Sequence, residues 1–181
     1  MSDQENSDNP THFLEISKSY YAAFDIIWDA EFSTKHWFYW DKDLILGPIS
    51  QLLGVALETA CKGLLVCAGE KSPKTHDLDK LFSKLDDDTL KVGLDDVLRA
   101  VTVPRSLIES NKGKPLCEVT RIYRTPSFHI HALNRVYDRP FVSRYPVLDV
   151  HSCPYPDALR RLLPVIHERL DSLRRHRRLS R

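Results

Sequence analysis

Apolar residues recur at helical spacing along most of the chain. Over residues 13–29, Phe13, Ser17, Tyr20, Phe24, Ile27 and Trp28 fall near one stripe, which predicts a first helix. The strongest run covers 48–68. There Ile49, Leu52, Leu53, Ala56, Leu57, Ala60, Cys61, Leu64, Leu65 and Ala68 keep the spacing without a miss. Gly47-Pro48 predicts the start of this second helix and Gly69 its stop, because Pro suits a first turn and Gly suits a left-handed cap. Between the two helices stand Phe32, Trp37, Phe38, Tyr39 and Trp40, which suit a packed corner of the core better than an exposed surface for stacking bases.

A polar loop, 70–75, leads to His76-Asp77-Leu78. Leu78, Leu81, Phe82 and Leu85 predict a short third helix, and Asp86 to Asp88 form a break that can cap another over 89–100, with Leu90, Leu94, Val97 and Leu98 on one side. Residues 101–125 lose the helical pattern. Pro104, the stretch Asn111 to Pro115 and the β-prone run Cys117 to Tyr123 suggest a two-stranded ribbon or an ordered loop. Helical signal returns over 127–138 with Phe128, Leu133, Val136 and Tyr137, and again over 156–176 with Leu159, Leu162, Leu163, Ile166, Leu170 and Leu173. Pro164 should kink or break that last helix. The pattern as a whole is an all-α antiparallel bundle. It forms one domain over 13–176, with a disordered tail at 1–12 and a basic tail at 177–181.

Composition narrows the class. A chain of 181 residues fits one domain. No stretch reads as a bilayer span, and the acidic, polar start is unlike a signal peptide, so a cytoplasmic protein without a membrane partner is expected. Cys61, Cys67, Cys117 and Cys153 form no metal-binding spacing, and no metal or cofactor is expected. The near-zero net charge hides two opposed halves. Residues 1–100 carry 18 acidic and 10 basic groups, whereas 101–181 carry 7 and 16. Such halves can attract each other within the fold or between subunits. Alternatively, the Arg-rich half can meet phosphate.

Three pieces resemble the HEPN family when taken in order. They are Glu58-xxx-Lys62-xx-Leu65 on the amphipathic helix, Thr75-His76-Asp77-Leu78-xx-Leu81 after the loop, and Leu133-xxx-Tyr137 followed by Arg144-Tyr145-Pro146 and a last helix. The resemblance spans about residues 15–175, with 101–125 as an insertion. It implies an antiparallel helical bundle, often a homodimer. It also implies one of two functions: a metal-independent endoribonuclease of toxin or defence type, held by an antitoxin or another protein partner, or a module that binds nucleotide or RNA without cutting it.

The family's ribonucleases use an Arg followed after a short gap by a His. The His moves protons near neutral pH and the Arg steadies charge growing on the phosphate. Here Arg124/His129, Arg124/His131, Arg144/His151, Arg160/His167, Arg161/His167 and Arg169/His176 all meet the spacing. Only Arg144/His151 stands just before the final helix, which makes it the catalytic candidate. Tyr145 occupies the place of the polar residue that usually follows the Arg. Glu58, Lys62, His76, Asp77 and Tyr145 are the candidate ligand contacts. Three of them also have a plainer reading, Glu58 and Lys62 as a helix-surface ion pair and His76 as a brace for its loop. The alternative function is a protein-interaction module without chemistry, docking through Trp37–Trp40 or the Arg-rich end.

Overall fold

A computed structural model describes residues 9–32, 41–137 and 155–179. Among them are eight helices and no strand: α1 Pro10–Phe32, α2 Asp41–Cys67, α3 Leu78–Ser83, α4 Asp88–Arg99, α5 Arg105–Ser110, α6 Leu116–Tyr123, α7 Pro126–Tyr137 and α8 Pro156–Leu179. The all-α bundle expected from the pattern is therefore the fold. The aromatic group Trp37–Trp40, and the residues Arg144, Tyr145, His151 and Cys153, lie outside the described residues.

Helix α2 is the axis of the bundle. Its apolar residues Leu53, Ala56, Leu57, Ala60, Cys61 and Leu64 are all buried, packed against α1, α7 and α8. Its stretch Gly47–Cys67 has the length and hydropathy of a bilayer span, contrary to the expectation from sequence, yet most of it is buried inside the bundle. Burial on all sides accounts for that composition. The helix does not start at Gly47-Pro48, because Pro48 lies inside it, after a start at Asp41. Its end is as predicted. Gly69 adopts φ of 95°, and Gly69 N and Glu70 N turn back to the carbonyls of Val66 and Leu65, the paired closure that a left-handed residue permits.

The ribbon considered for 101–125 is replaced by two short helices. Pro104 and Pro115 hold extended φ and ψ at the N-caps of α5 and α6. In the β-prone run, Val119 and Tyr123 are four apart and buried, while Leu116 and Cys117 are exposed, so the run satisfies a helical face after all. Helix α8 continues through Pro164 without a break. Helices α1 and α8 also reach into the spans expected as tails, to Pro10 and Leu179.

The opposed charge of the two halves is used within the fold. Arg160 bonds Asp25 at 2.8 Å and Asp29 at 3.0 Å, tying α8 to α1. Arg169 bonds Asp87 at 2.6 Å, tying α8 to the start of α4. At the far end of α8, Arg177 donates to the carbonyl of Val66 on α2, and Arg178 to the hydroxyl of Thr11 on α1. Asp87 carries two duties, since its side chain also accepts from Leu90 N as the N-cap of α4. Burial pushes its carboxyl up, but the bonds from Arg169 and the backbone outweigh this and hold it below the ordinary value. Asp87→Ala is therefore expected to cost about 1–2 kcal/mol in urea denaturation. Asp87→Asn, which keeps a capping oxygen, should recover about half of that. Equal losses in both variants would show that the cap contributes nothing.

Candidate functional site

Glu58 faces the interior edge of α2 and is buried. Its carboxylate accepts from three directions. Lys62 Nζ, one turn on, donates at 2.7 Å; His76 Nδ1 donates at 3.0 Å to Oε1 and 3.1 Å to Oε2; Tyr137 donates its hydroxyl to Oε2 at 2.5 Å. Gly54, one turn before Glu58, makes the last bond reachable. A Cβ there would lie 2.1 Å from the Tyr137 ring, so only glycine lets that ring cross α2. Burial pushes the Glu58 carboxyl up, but the bonds from Lys62, Tyr137 and His76 together hold it below the ordinary value. Glu58 is thus ionised and satisfied, and its chemistry is to orient its partners rather than to accept a proton.

The main object of that orientation is His76. An ionised carboxylate can only accept, so Nδ1 of His76 carries a proton, and in the neutral ring Nε2 is left with a lone pair. The side chain is 70% exposed, and Nε2 has no partner among the described residues. This is the arrangement in which a carboxylate fixes the tautomer of an imidazole for work at its other nitrogen.

A second network adjoins the first. Asn134, one turn before Tyr137 on α7, accepts from Leu78 N at 2.8 Å and donates to Asp77 Oδ1 and Asp79 Oδ2, both at 3.1 Å. It thereby locks the His76-Asp77-Leu78 turn against α7. Asp77 is also the N-cap of α3, accepting from Lys80 N. Its carboxyl is held below the ordinary value by the side-chain and backbone bonds of Lys80. Asp79 Oδ2 accepts from His131 Nδ1 at 2.8 Å, and His131 is 65% exposed. The site therefore holds two imidazoles, each tethered through Nδ1 to a carboxylate. Asp79 and His131 border a surface groove of about 460 Å³ floored by Ile122 and Phe128.

Of the sequence candidates, Glu58, Lys62 and His76 are brought into direct contact, and Asp77 joins them through Asn134. The Glu58–Lys62 pair is buried, not the surface pair that its spacing suggests. Arg144, Tyr145 and His151 lie outside the described residues. Asn134, Asp79 and His131 were missed as site residues. Asn in the interior of a helix is a signal for the first, since it disfavours that place unless its amide has work. No local signal pairs Asp79 with a histidine 52 positions away.

Of the remaining Arg/His spacings, those that end on His129 and His167 are closed to solvent. His129 is fully buried in a box of Tyr123, Phe128 and Tyr155, and donates Nε2–H to the Tyr123 carbonyl at 2.6 Å. His167 is buried against Ser17 at 2.7 Å. Ser17 gives its one proton to the Ala56 carbonyl at 2.6 Å, so His167 must donate to Ser17 and cannot be its base. Among the described residues no group of three or more His, Cys, Asp or Glu is arranged for a metal. The Cys61 thiol is fully buried, and burial pushes it up to about 12, which leaves it unreactive. Compared with protein-family models, curated proteins and solved structures, the chain matches none.

Proposed function

We propose that this bundle is a HEPN-like domain that binds RNA or a nucleotide, with the ligand lying over the cluster centred on Glu58. The observation that carries the reading is the meeting of Glu58–Lys62, Thr75–Leu78 and Leu133–Tyr137 at one polar cluster with an open imidazole. These are the segments that carry the family resemblance. Charge on the neighbouring helices supports a phosphate-bearing ligand. Arg121, Arg124 and Arg135 on α6 and α7 are exposed, and their guanidinium groups have no acidic partner among the described residues. In the catalytic form of the reading, Arg144 steadies the phosphate and His151 moves the proton of the attacking 2′-hydroxyl. This form works as a homodimer, silenced by a protein partner of antitoxin type.

Fluorescence anisotropy with labelled single-stranded RNA and with ATP tests the reading. Binding should weaken steeply between about 50 and 200 mM salt, as phosphate contacts require. Arg144→Ala should abolish most of it. Incubation of RNA in EDTA adds the second question, where cyclic-phosphate ends made by the wild type and not by Arg144→Ala/His151→Ala mark cleavage. Absence of binding to RNA and ATP at low salt would sink the reading in favour of protein docking.

A further inference from the structure

We infer that His76 and His131 accept hydrogen bonds from ribose hydroxyls, so that this surface distinguishes RNA from DNA. The inference rests on the RNA-binding reading above and names the part of the ligand that the site reads.

His76 gives its Nδ1 proton to Glu58, and His131 gives its own to Asp79. In the neutral ring the other nitrogen then offers only a lone pair. Both side chains are more than half exposed, and neither Nε2 has a partner among the described residues. A lone pair cannot bond a phosphate, whose oxygens are acceptors as well. It needs a donor. On a nucleic-acid backbone the ribose 2′-hydroxyl is the donor, and DNA lacks it.

The surroundings point the same way. Both tethers adjoin the Asn134 network, which bonds Asp77 beside His76 and Asp79 beneath His131, and each imidazole is fixed by a carboxylate that is itself held. Glu58 is fixed by Lys62 and Tyr137, and Asp79 by Asn134. The Asp79 carboxylate also disfavours close approach of phosphate at His131. The exposed Arg121, Arg124 and Arg135 supply donors for the phosphates, which the neutral histidines cannot.

Three oligonucleotides of one sequence test this by anisotropy at pH 8: RNA, its deoxy form with uracil retained, and 2′-O-methyl RNA, which keeps the oxygen but cannot donate. The wild type should prefer RNA over both others by about tenfold, the effect of one or two neutral hydrogen bonds. His76→Ala/His131→Ala should bring the three affinities to within about twofold of each other. His76→Gln, which retains an acceptor, should keep part of the preference. Circular dichroism checks that the variants fold, and both positions are exposed enough for that. If the wild type binds all three equally, or the double variant keeps the full preference, the inference fails while the RNA-binding reading stands. If none of the three binds, both fail.

Discussion

Glu58→Ala should destabilise the protein by about 3–5 kcal/mol, the range for removing one partner of a buried ion pair. The loss is larger than a pair energy because Lys62 stays behind, buried with its charge and no acceptor, while Tyr137 loses the partner that Gly54 lets it reach. Two further variants separate these causes. Glu58→Gln keeps acceptors for Tyr137 and His76 but removes the charge, and should fall between the wild type and Glu58→Ala. Glu58→Ala/Lys62→Met removes the stranded charge and should recover most of the loss, since a buried pair replaced by apolar groups is often close to neutral. Urea denaturation reads all three. A Glu58→Ala variant as stable as the wild type would mean that the cluster around Glu58 is not closed in solution.

Acid should weaken the fold well before the carboxylates titrate. His129 and His167 are both held neutral, and burial pushes each from 6.5 down to about 4. Above pH 6.5 neither the folded nor the unfolded chain is protonated at these rings, and their contribution is fully present. As pH falls from 6.5 towards 4, the unfolded chain takes up the protons first and unfolding is favoured. Below about 4 both states are protonated and the loss is complete. Each ring is worth about 3 kcal/mol over that window, so the two together approach the whole stability of an ordinary domain. Glu58, Asp77 and Asp87 act in the same direction but lower, because their carboxyls are held below the ordinary carboxylate range. The melting temperature should therefore fall steeply between pH 6.5 and 4.5. His129→Gln and His167→Gln, which keep a hydrogen-bond donor without titrating, should each flatten the slope by about half. Slopes identical to that of the wild type would show that both rings already reach solvent.

Local signals in the sequence were sufficient where one physical rule acts alone. The unbroken apolar stripe of α2, the stop at Gly69 and the cap at Asp87 are each decided within a turn or two of chain. They fail where two rules compete. Gly47-Pro48 has the chemistry of a helix start, yet the backbone runs through it, since an internal Pro removes one bond and need not end a helix. The run Cys117 to Tyr123 has β-branched composition, but the burial of Val119 and Tyr123 on one helical face decides its form. The candidate site was legible in part for the same reason. Glu58 and Lys62 are visible as a pair four apart, and their burial depends on Tyr137, which is 79 positions away. Asn134 and the Asp79–His131 pair depend wholly on how α3 meets α7, which no local pattern encodes.

The bond from Arg178 to Thr11 has a topological consequence. It brings the first turn of α1 and the last turn of α8 to one corner of the molecule. A short linker between these two turns would close the described helices into a ring. The chain could then be opened afresh at the exposed turn Lys112 to Lys114, giving a circular permutant that starts at α6 and ends at α5 with every helix keeping its neighbours.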